Sequence, residues 1–138
     1  MIDRIGGMRN SLVLQIKEEH LDFYEHVNNA EVMKILEEGR WHYLEQGGFT
    51  REFVKREGTG SVVLEAKIRY RRELKLGDNV EIETFLKGTK KKLQILGQRI
   101  LRQGELCIEA EILSGLFDLN RRKLIPPTEA WKKGIGLV

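Results

Sequence analysis

Apolar and polar positions alternate with a period of two in five stretches of the chain, which is the pattern of strands with one buried face. The first stretch covers roughly residues 11–18. Four longer stretches follow from Ser61 onward, separated by turn signals at Gly77-Asp78, Gly88 and Gln103-Gly104. Because turns this short join antiparallel neighbours, the pattern predicts an antiparallel sheet.

Between the first two strands, the apolar residues follow a helical period instead. The pattern predicts one long helix from about Asn29 to Gln46, capped by Asn28 or Asn29 and ended by the Gly47-Gly48 pair. Its apolar band is wide, so other structure should wrap most of the helix. A sheet and one long apolar helix pack economically when the sheet curls around the helix, which predicts an α+β fold with a five-stranded antiparallel sheet.

The pattern also predicts features outside this core. Residues 49–59 should form a short helical turn and a loop, and Pro126-Pro127 should end regular structure. The outer face of the sheet is expected to carry the apolar side chains Leu96, Ile100, Leu113 and Phe117. Exposed apolar surface on a sheet indicates a partner, and we expect a second copy of the chain, in a homodimer or a homotetramer.

The length of 138 residues fits one domain, predicted over residues 11–138 after a flexible leader at residues 1–10. The single cysteine, Cys107, excludes a disulfide within the chain. No apolar run approaches the roughly 20 residues of a membrane helix, and the leader lacks the apolar core of a secretory signal. The expected location is therefore the cytoplasm, without a membrane partner.

The net charge of +3 does not by itself indicate nucleic acid as a partner. Basic residues cluster at Arg69–Arg72, Lys87–Lys92 and Arg121–Lys123. Each cluster is either a solvated turn or strand end, or a place that holds a phosphate-bearing ligand. The clusters lack interleaved surface aromatics, so no nucleic-acid partner is predicted. The sequence shows neither a Gly-rich phosphate loop nor a metal-binding spacing, so no cofactor and no metal is predicted.

The segment from Asp22 to Ala30 holds the most unusual chemistry in the chain, with a carboxylate, an imidazole and two amides close together. It precedes the predicted helix, whose N-terminus offers unpaired N–H groups and the positive end of the helix dipole. Such an end can polarise a carbonyl and stabilise an oxyanion. Asp22 could then act as a general base on water or as a nucleophile. The alternative is that Asp22 and Asn28 are only loop and cap residues and that His26 fills space.

The run Asp22-x-x-x-His26-Val27-Asn28-Asn29-Ala30, followed by Glu37-Glu38-x-Arg40, resembles the signature of the hotdog-fold thioesterases of the 4-hydroxybenzoyl-CoA thioesterase-like family. Tyr70-Arg71-Arg72, Leu76-Gly77-Asp78 and Pro126 also look like that family, so the resemblance covers roughly residues 11–127. It implies a five-stranded antiparallel sheet wrapped around a central helix. It also implies hydrolysis of acyl-CoA or acyl-carrier-protein thioesters at sites on a dimer interface, without a metal or cofactor.

Carried over by position, the resemblance implies specific roles in the loop and at the start of the helix. Asp22 matches the catalytic carboxylate of the family, and the backbone N–H of Asn29 matches the donor that polarises the thioester carbonyl. His26 and Asn28 belong to the same motif, so we expect His26 at the catalytic centre and Asn28 at the bound substrate.

Further substrate contacts are expected from other parts of the chain. Glu37 either pairs with Arg40, three positions along the helix, or faces the acyl pocket as a second acid. Ser61 could donate a hydrogen bond into the site of the neighbouring subunit. The phosphates of CoA are expected to meet basic side chains at the rim, namely Arg72, Lys90, Lys91 and Lys92.

Three positions depart from the family pattern: His20 replaces an Asp, Glu25 replaces a Gly, and Val32 replaces a frequent Tyr. The change at Glu25 matters most, because the loop can need a backbone angle that favours glycine. These departures motivate an alternative to the enzyme, namely a non-catalytic protein of the same fold that binds acyl thioesters. A hydratase of the same fold is a weaker alternative, since those enzymes space the Asp and His differently.

Overall fold

The computed structural model describes residues 9–25 and 27–137 and shows an antiparallel sheet with one long helix. The predicted leader lies outside the described residues for positions 1–8, while positions 9 and 10 belong to the first strand. The helices and strands are, in chain order, β1 (Arg9–Gln15), a 3₁₀ turn (Glu18–His20), α1 (Asn29–Gln46), α2 (Arg51–Glu57), β2 (Thr59–Tyr70), β3 (Asn79–Lys90), β4 (Leu93–Arg102), β5 (Glu105–Asp118), β6 (Lys123–Ile125) and α3 (Glu129–Gly134).

The strand order in the sheet is β1-β3-β4-β5-β2, and every pairing is antiparallel. The α+β fold class is therefore confirmed. The sheet has a sixth strand that the alternation did not predict, since the three residues of β6 pair with Leu116–Asp118. β6 has room there because β4 reaches only as far as Gly115 of β5, which pairs with Leu93.

The bounds of α1 agree with the prediction, and the cap explains why. The side chain of Asn28 accepts a hydrogen bond from the N–H of Ala30 at 2.7 Å, and Gly47 follows the last helical residue. The buried face of α1 packs mainly on β1 and β3. The opposite side of the helix is open, and Met33 is 38% exposed. The expectation that the helix is wrapped on most sides is thus wrong for a single copy of the chain.

The polar residues of β4 face the core rather than the solvent. Gln98 donates from Nε2 to the carbonyl oxygen of Leu36 at 2.9 Å and to the hydroxyl of Thr84 at 3.0 Å. Leu96 and Ile100 share this inner face with Gln98 and are fully buried. The prediction that Leu96 and Ile100 lie on the outer face is therefore wrong, because Gln98 finds its hydrogen-bond partners inside the core.

Helix α3 follows Pro126-Pro127 and closes one end of the core, which corrects the expectation that regular structure ends at the prolines. Thr128 caps α3 by accepting the N–H of Trp131 at 3.2 Å. The indole N–H of buried Trp131 donates to Oε1 of Gln94 at 2.6 Å, which ties α3 to β4. None of the described helices is long and apolar enough to cross a membrane.

Strand β2 forms one edge of the sheet and is mostly exposed. Val63 and Leu64 are 44% and 46% exposed, and the pairing with β5 has a bulge between Val63 and Glu65. The long helix lies nearer to the other edge, so the inner side of β2 is only partly covered. A long apolar edge strand of this kind is a ready template for pairing with another strand.

Candidate active site

The loop before α1 is closed by backbone contacts at its base. Leu21 and Val27 form an isolated antiparallel bridge, and the N–H of Asn28 donates to the carbonyl oxygen of His20 at 2.9 Å. The ring Nδ1 of His20 accepts the N–H of Lys17 at 2.8 Å. His20 thus fastens the base of the loop, and the loop carries Asp22 to the start of the helix.

Asp22 is half-buried, and local hydrogen bonds orient it. Its Oδ1 accepts the N–H of Tyr24 at 2.9 Å, and its carbonyl oxygen accepts the N–H of Glu25 at 3.0 Å. Glu25 adopts a φ of 62°, in the left-handed region that favours glycine. The departure at Glu25 therefore falls on a position where the backbone does take the conformation that glycine adopts most easily.

The start of α1 offers a backbone donor beside this loop. The side chain of Asn28 caps Ala30, and the carbonyl oxygen of Asn28 accepts the N–H of Val32 at 3.0 Å. For the N–H of Asn29, no acceptor lies within reach among residues 9–25 and 27–137. An unpaired N–H at the positive end of an 18-residue helix is a natural partner for a carbonyl oxygen or an oxyanion.

Asp22 and Asn29 line one cavity of about 290 Å³ at the N-terminus of α1. Its remaining walls are Val27 and Val32 from the loop and helix, Ile108 from β5, and the end of β2 with its following segment, Tyr70, Arg71, Arg72, Glu73 and Leu74. The cavity is therefore lined by a carboxylate residue, by the first residue of the helix and by apolar side chains, a set that suits attack on a carbonyl group held against the helix.

The rim of this cavity carries arginines that are already paired with carboxylates. Arg71 donates from Nη2 to Oε1 of Glu109 at 2.6 Å, and Arg72 lies 3.3 Å from Oε2 of Glu105. The hydrogen bond from Arg71 lowers the pKa of Glu109 below its ordinary value. The rim is thus of mixed charge, and Arg72, which the sequence singled out, is one of the two arginines that line the cavity.

Glu37 and Ser61 line a separate, smaller cavity of about 70 Å³, farther along the helix, together with Arg40, Trp41, Leu44 and Val63. Arg40 does not pair with Glu37, although the helical spacing allows such a pair. Its Nη1 donates instead to Oε1 of Gln98 at 3.0 Å. Burial lowers the pKa of Arg40, and the nearby charge of Glu37 opposes that shift. The structure therefore brings Glu37 and Ser61 together, but not with Asp22.

Lys90, Lys91 and Lys92 form the exposed turn between β3 and β4 and do not line the cavity of Asp22. Arg72 lies at the opposite end of the sheet, where its partner Glu105 begins β5. The 12 residues of β3 span roughly 36 Å, so one copy of the chain cannot place these lysines and Arg72 on one rim. The expectation that these lysines and Arg72 share one rim is therefore wrong for a single copy of the chain. His26 lies outside the described residues.

Sequence reasoning missed most of the cavity wall beyond the loop. Tyr70, Leu74 and Ile108 come from β2, from the segment after it and from β5, and only the folded sheet brings them to the helix N-terminus. The run Tyr70-Arg71-Arg72 was the one available signal, because it stands out as a cluster at the end of a strand.

An antiparallel sheet packed on one long helix, with a cavity at the N-terminus of that helix, is the architecture of the hotdog-fold thioesterases. The model of the thioesterase-like superfamily matches residues 2–135, so the chain belongs to that superfamily. The predicted family and the predicted enzyme class are confirmed.

The chain is similar to named proteins over most of its length. It is 32% identical over 114 residues to the long-chain acyl-CoA thioesterase FadM of Escherichia coli K12. The matched region covers 81% of this chain and 86% of FadM. The crystal structure of the probable thioesterase YbaW from Escherichia coli matches with a TM-score of 0.79 and 29% identity, over 91% of this chain and 98% of that one. A Staphylococcus aureus protein, SAV2348, solved in complex with CoA, matches with a TM-score of 0.84 and 16% identity, over 96% and 85% of the two chains. At that identity, the likeness to SAV2348 shows the fold alone.

Proposed function

We propose that the protein hydrolyses acyl-CoA thioesters to the free acid and CoA, with the thioester carbonyl bound at the N–H of Asn29 and with Asp22 as the reacting carboxylate. The observation that carries the proposal is the cavity that both Asp22 and Asn29 line, since the N–H of Asn29 has no acceptor among residues 9–25 and 27–137. A carbonyl oxygen that accepts this N–H gains stabilisation as it becomes an oxyanion, because the donor is preorganised at the helix terminus.

Two routes from this arrangement lead to the same products. As a general base, Asp22 takes a proton from water, the water oxygen bonds to the carbonyl carbon, and the C–S bond breaks with the thiolate as leaving group. As a nucleophile, Asp22 bonds to the carbonyl carbon first and expels the thiolate, and water then hydrolyses the mixed anhydride. His26 is proposed to act beside Asp22, and Asn28 holds the helix start against which the substrate binds.

The substrate class is supported by the relatives. FadM, which is 32% identical to this chain, is named as a long-chain acyl-CoA thioesterase. For this chain, CoA is the proposed carrier of the acyl group, and an acyl-carrier protein is the alternative carrier. The cytoplasmic location remains a prediction from the sequence.

We further propose that the active unit is at least a homodimer, formed by antiparallel pairing of two β2 strands. This pairing covers the exposed Val63 and Leu64 and extends the sheet without leaving those edges open. A twofold axis near the middle of β2 places Tyr70 of one copy opposite Thr59 of the other. Light scattering at micromolar protein is the test, and a monomer mass contradicts the dimer.

In such a dimer, the lysine turn approaches the cavity of the other copy. The turn lies at the end of the sheet where Thr59 begins β2, since β5 connects Thr59 with the region of Leu93. The partner subunit's β4 lies three strand spacings, about 14 Å, beyond the β2 edge of the first copy. The partner subunit's Lys90, Lys91 and Lys92 are therefore proposed to bind the CoA phosphates together with Arg72 of the first copy.

The alternative function is an acyl-thioester binding protein that does not turn over its ligand. It is favoured by Glu25, which adopts a left-handed conformation beside Asp22 at the cost of backbone strain. A thiol-release assay over acyl-CoA substrates, from short aliphatic to long aliphatic and aromatic acyl groups, separates the two. The enzyme gives a clear optimum in kcat/KM for one acyl class, whereas turnover near the buffer rate for every substrate, with measurable binding, supports the alternative.

A further inference from the structure

On the inner side of the sheet, α1 and β2 face each other and both line a cavity at each end of this stretch, which we call the groove. Met33 on the helix and Ala66 on the strand are exposed along it, and Ile68 is half-buried. One end of the groove meets the cavity of Asp22, because Tyr70 and Asn29 line that cavity. The other end meets the small cavity that Ser61 and Glu37 line. We call this small cavity, formed by Glu37, Arg40 and Ser61 with their apolar neighbours, the polar cleft.

An apolar group placed in the polar cleft is expected to bind unfavourably there. Within the described part of the chain, the partly buried guanidinium of Arg40 has one hydrogen-bond acceptor, Oε1 of Gln98. Burial lowers the pKa of Arg40 below its ordinary value, and the nearby charge of Glu37 opposes that shift. A methyl terminus placed against Arg40 and Glu37 would displace the water that solvates their remaining polar atoms.

We propose that the polar cleft ends the acyl pocket and sets the longest chain that the enzyme accepts, an inference that rests on the proposed function. The carbonyl carbon of the substrate lies at Asn29, and the acyl chain follows the groove past Met33 and Ile68. Glu37 and Arg40 stop the chain, because a longer chain must bury methylene groups against two charged side chains.

The length of the pocket follows from the helix. Asn29 and Arg40 are eleven positions apart in the sequence, which is roughly 16 Å along the helix axis. Each C–C bond of about 1.5 Å advances an extended chain by somewhat less than its length, so this span holds roughly 12 to 14 carbons. Chains within this limit gain affinity from each buried methylene, and chains beyond it lose affinity.

The experiment measures kcat/KM for saturated acyl-CoA substrates from about 8 to about 18 carbons, with the wild type and the variants Glu37→Leu and Arg40→Met. In the wild type, kcat/KM rises up to roughly 12 to 14 carbons and then falls about tenfold for the next longer substrates, the order expected of a hydrophobic pocket of fixed size. In both variants the optimum moves to longer chains. Glu38→Leu, on the exposed side of the helix where Glu38 contacts Arg51, is the matched control and keeps the wild-type optimum.

The variant Arg40→Met removes a partner of Gln98 and can weaken the fold, so Glu37→Leu, which leaves that hydrogen bond in place, provides an independent measurement. An optimum that stays at one chain length in wild type and Glu37→Leu, or a wild-type rate that stays level up to the longest chain, overturns the proposal while the enzyme remains active. Absence of turnover with every acyl-CoA contradicts the proposed function itself. In that case, thermal stabilisation by free fatty acids of graded length tests the pocket without catalysis, and stabilisation that does not fall beyond roughly 14 carbons overturns the length limit.

Discussion

The backbone N–H of Glu25 donates to the carbonyl oxygen of Asp22 at 3.0 Å, and Glu25 holds a φ of 62° to make this turn. The conformation of Glu25 therefore helps to fix Asp22, the carboxylate proposed to react, three positions earlier. A glutamate in the left-handed region costs roughly 1–2 kcal/mol relative to a glycine, because its Cβ crowds the following carbonyl oxygen.

Glu25→Gly is expected to relieve this strain and to raise the free energy of unfolding by up to about 1 kcal/mol, since the greater freedom of glycine in the unfolded chain offsets part of the gain. Turnover should stay at the wild-type level or rise. Urea unfolding and thiol release measure the two effects. The control is Gln103→Gly, which changes another left-handed residue, with a φ of 52°, in the turn between β4 and β5. A large loss of turnover in Glu25→Gly alone would show that the glutamate side chain serves the reaction.

Asp22→Asn is expected to lower kcat by roughly 10²–10⁴-fold, because the amide can neither accept the proton of water nor attack as a nucleophile. KM should change little, since the carbonyl is held by a backbone N–H rather than by the carboxylate. Steady-state kinetics with the best acyl-CoA substrate checks both values, and circular dichroism checks the fold. Full turnover in Asp22→Asn, with none in His26→Ala, would assign the base to the imidazole instead.

Lys91→Glu with Lys92→Glu is expected to raise KM for acyl-CoA and to leave kcat nearly unchanged, because the proposed contacts with the CoA phosphates are equal in the ground and transition states. Added salt should mimic the change. Thioesters of N-acetylcysteamine, which carry no phosphate, should show no difference between the variant and the wild type.

A mixture of two variants that each have a lowered kcat/KM tests whether the lysines act across the dimer. Equal amounts of Asp22→Asn and the double lysine variant, unfolded and refolded together, should recover about a quarter of the wild-type kcat/KM, since half of the dimers are mixed and each mixed dimer has one intact site. Separate refolding of the two variants is the control. Recovery no greater than the sum of the separately refolded variants would place the lysines and Asp22 in sites of the same copy.

The ion pair between Arg71 and Glu109 should make stability depend on pH. Arg71 lowers the pKa of Glu109 in the folded protein, so the pair contributes stability above the ordinary pKa of 4.5 and loses it as the pH falls through the lowered value. Because Arg71 is half exposed, we expect Arg71→Leu to lower the free energy of unfolding by less than about 1 kcal/mol near neutral pH. In strong acid, where Glu109 is protonated, the loss of this ion pair should not change the free energy of unfolding. Urea unfolding from neutral pH to about pH 3 measures the difference. In a Glu109→Gln background the difference should be independent of pH, and a pH dependence that persists there would assign it to other groups.

The sequence predicted α1 well, because Asn28 and the Gly47-Gly48 pair carry their own local signals for the start and the end of a helix. It predicted the inner face of β4 wrongly, because Gln94 and Gln98 are polar yet satisfied inside the core by Trp131 and Leu36. These hydrogen-bond partners are distant in the chain, so no local sequence pattern predicts them.

The candidate site divides in the same way. Asp22 and Asn29 are close in sequence and lie in one loop and one helix end, so their meeting could be predicted. The separation of Lys91 from Arg72 depends on which ends of the strands coincide, and that relationship exists only in the folded sheet. Glu37 and Ser61 meet for the same reason, across the gap between a helix and a strand.

The exposed β2 edge also affects how the protein is made. A newly folded copy presents a long strand with Val63 and Leu64 uncovered, and it can bind a correct partner or an incompletely folded chain. Lys67 and Arg69 stand on the outer side of this strand, and their charge disfavours the stacking of many copies into a fibre. The yield of folded protein during synthesis should therefore depend on the rate of dimer assembly relative to the rate of aggregation. Conditions that speed the encounter of native copies should protect the protein more than conditions that only slow its unfolding.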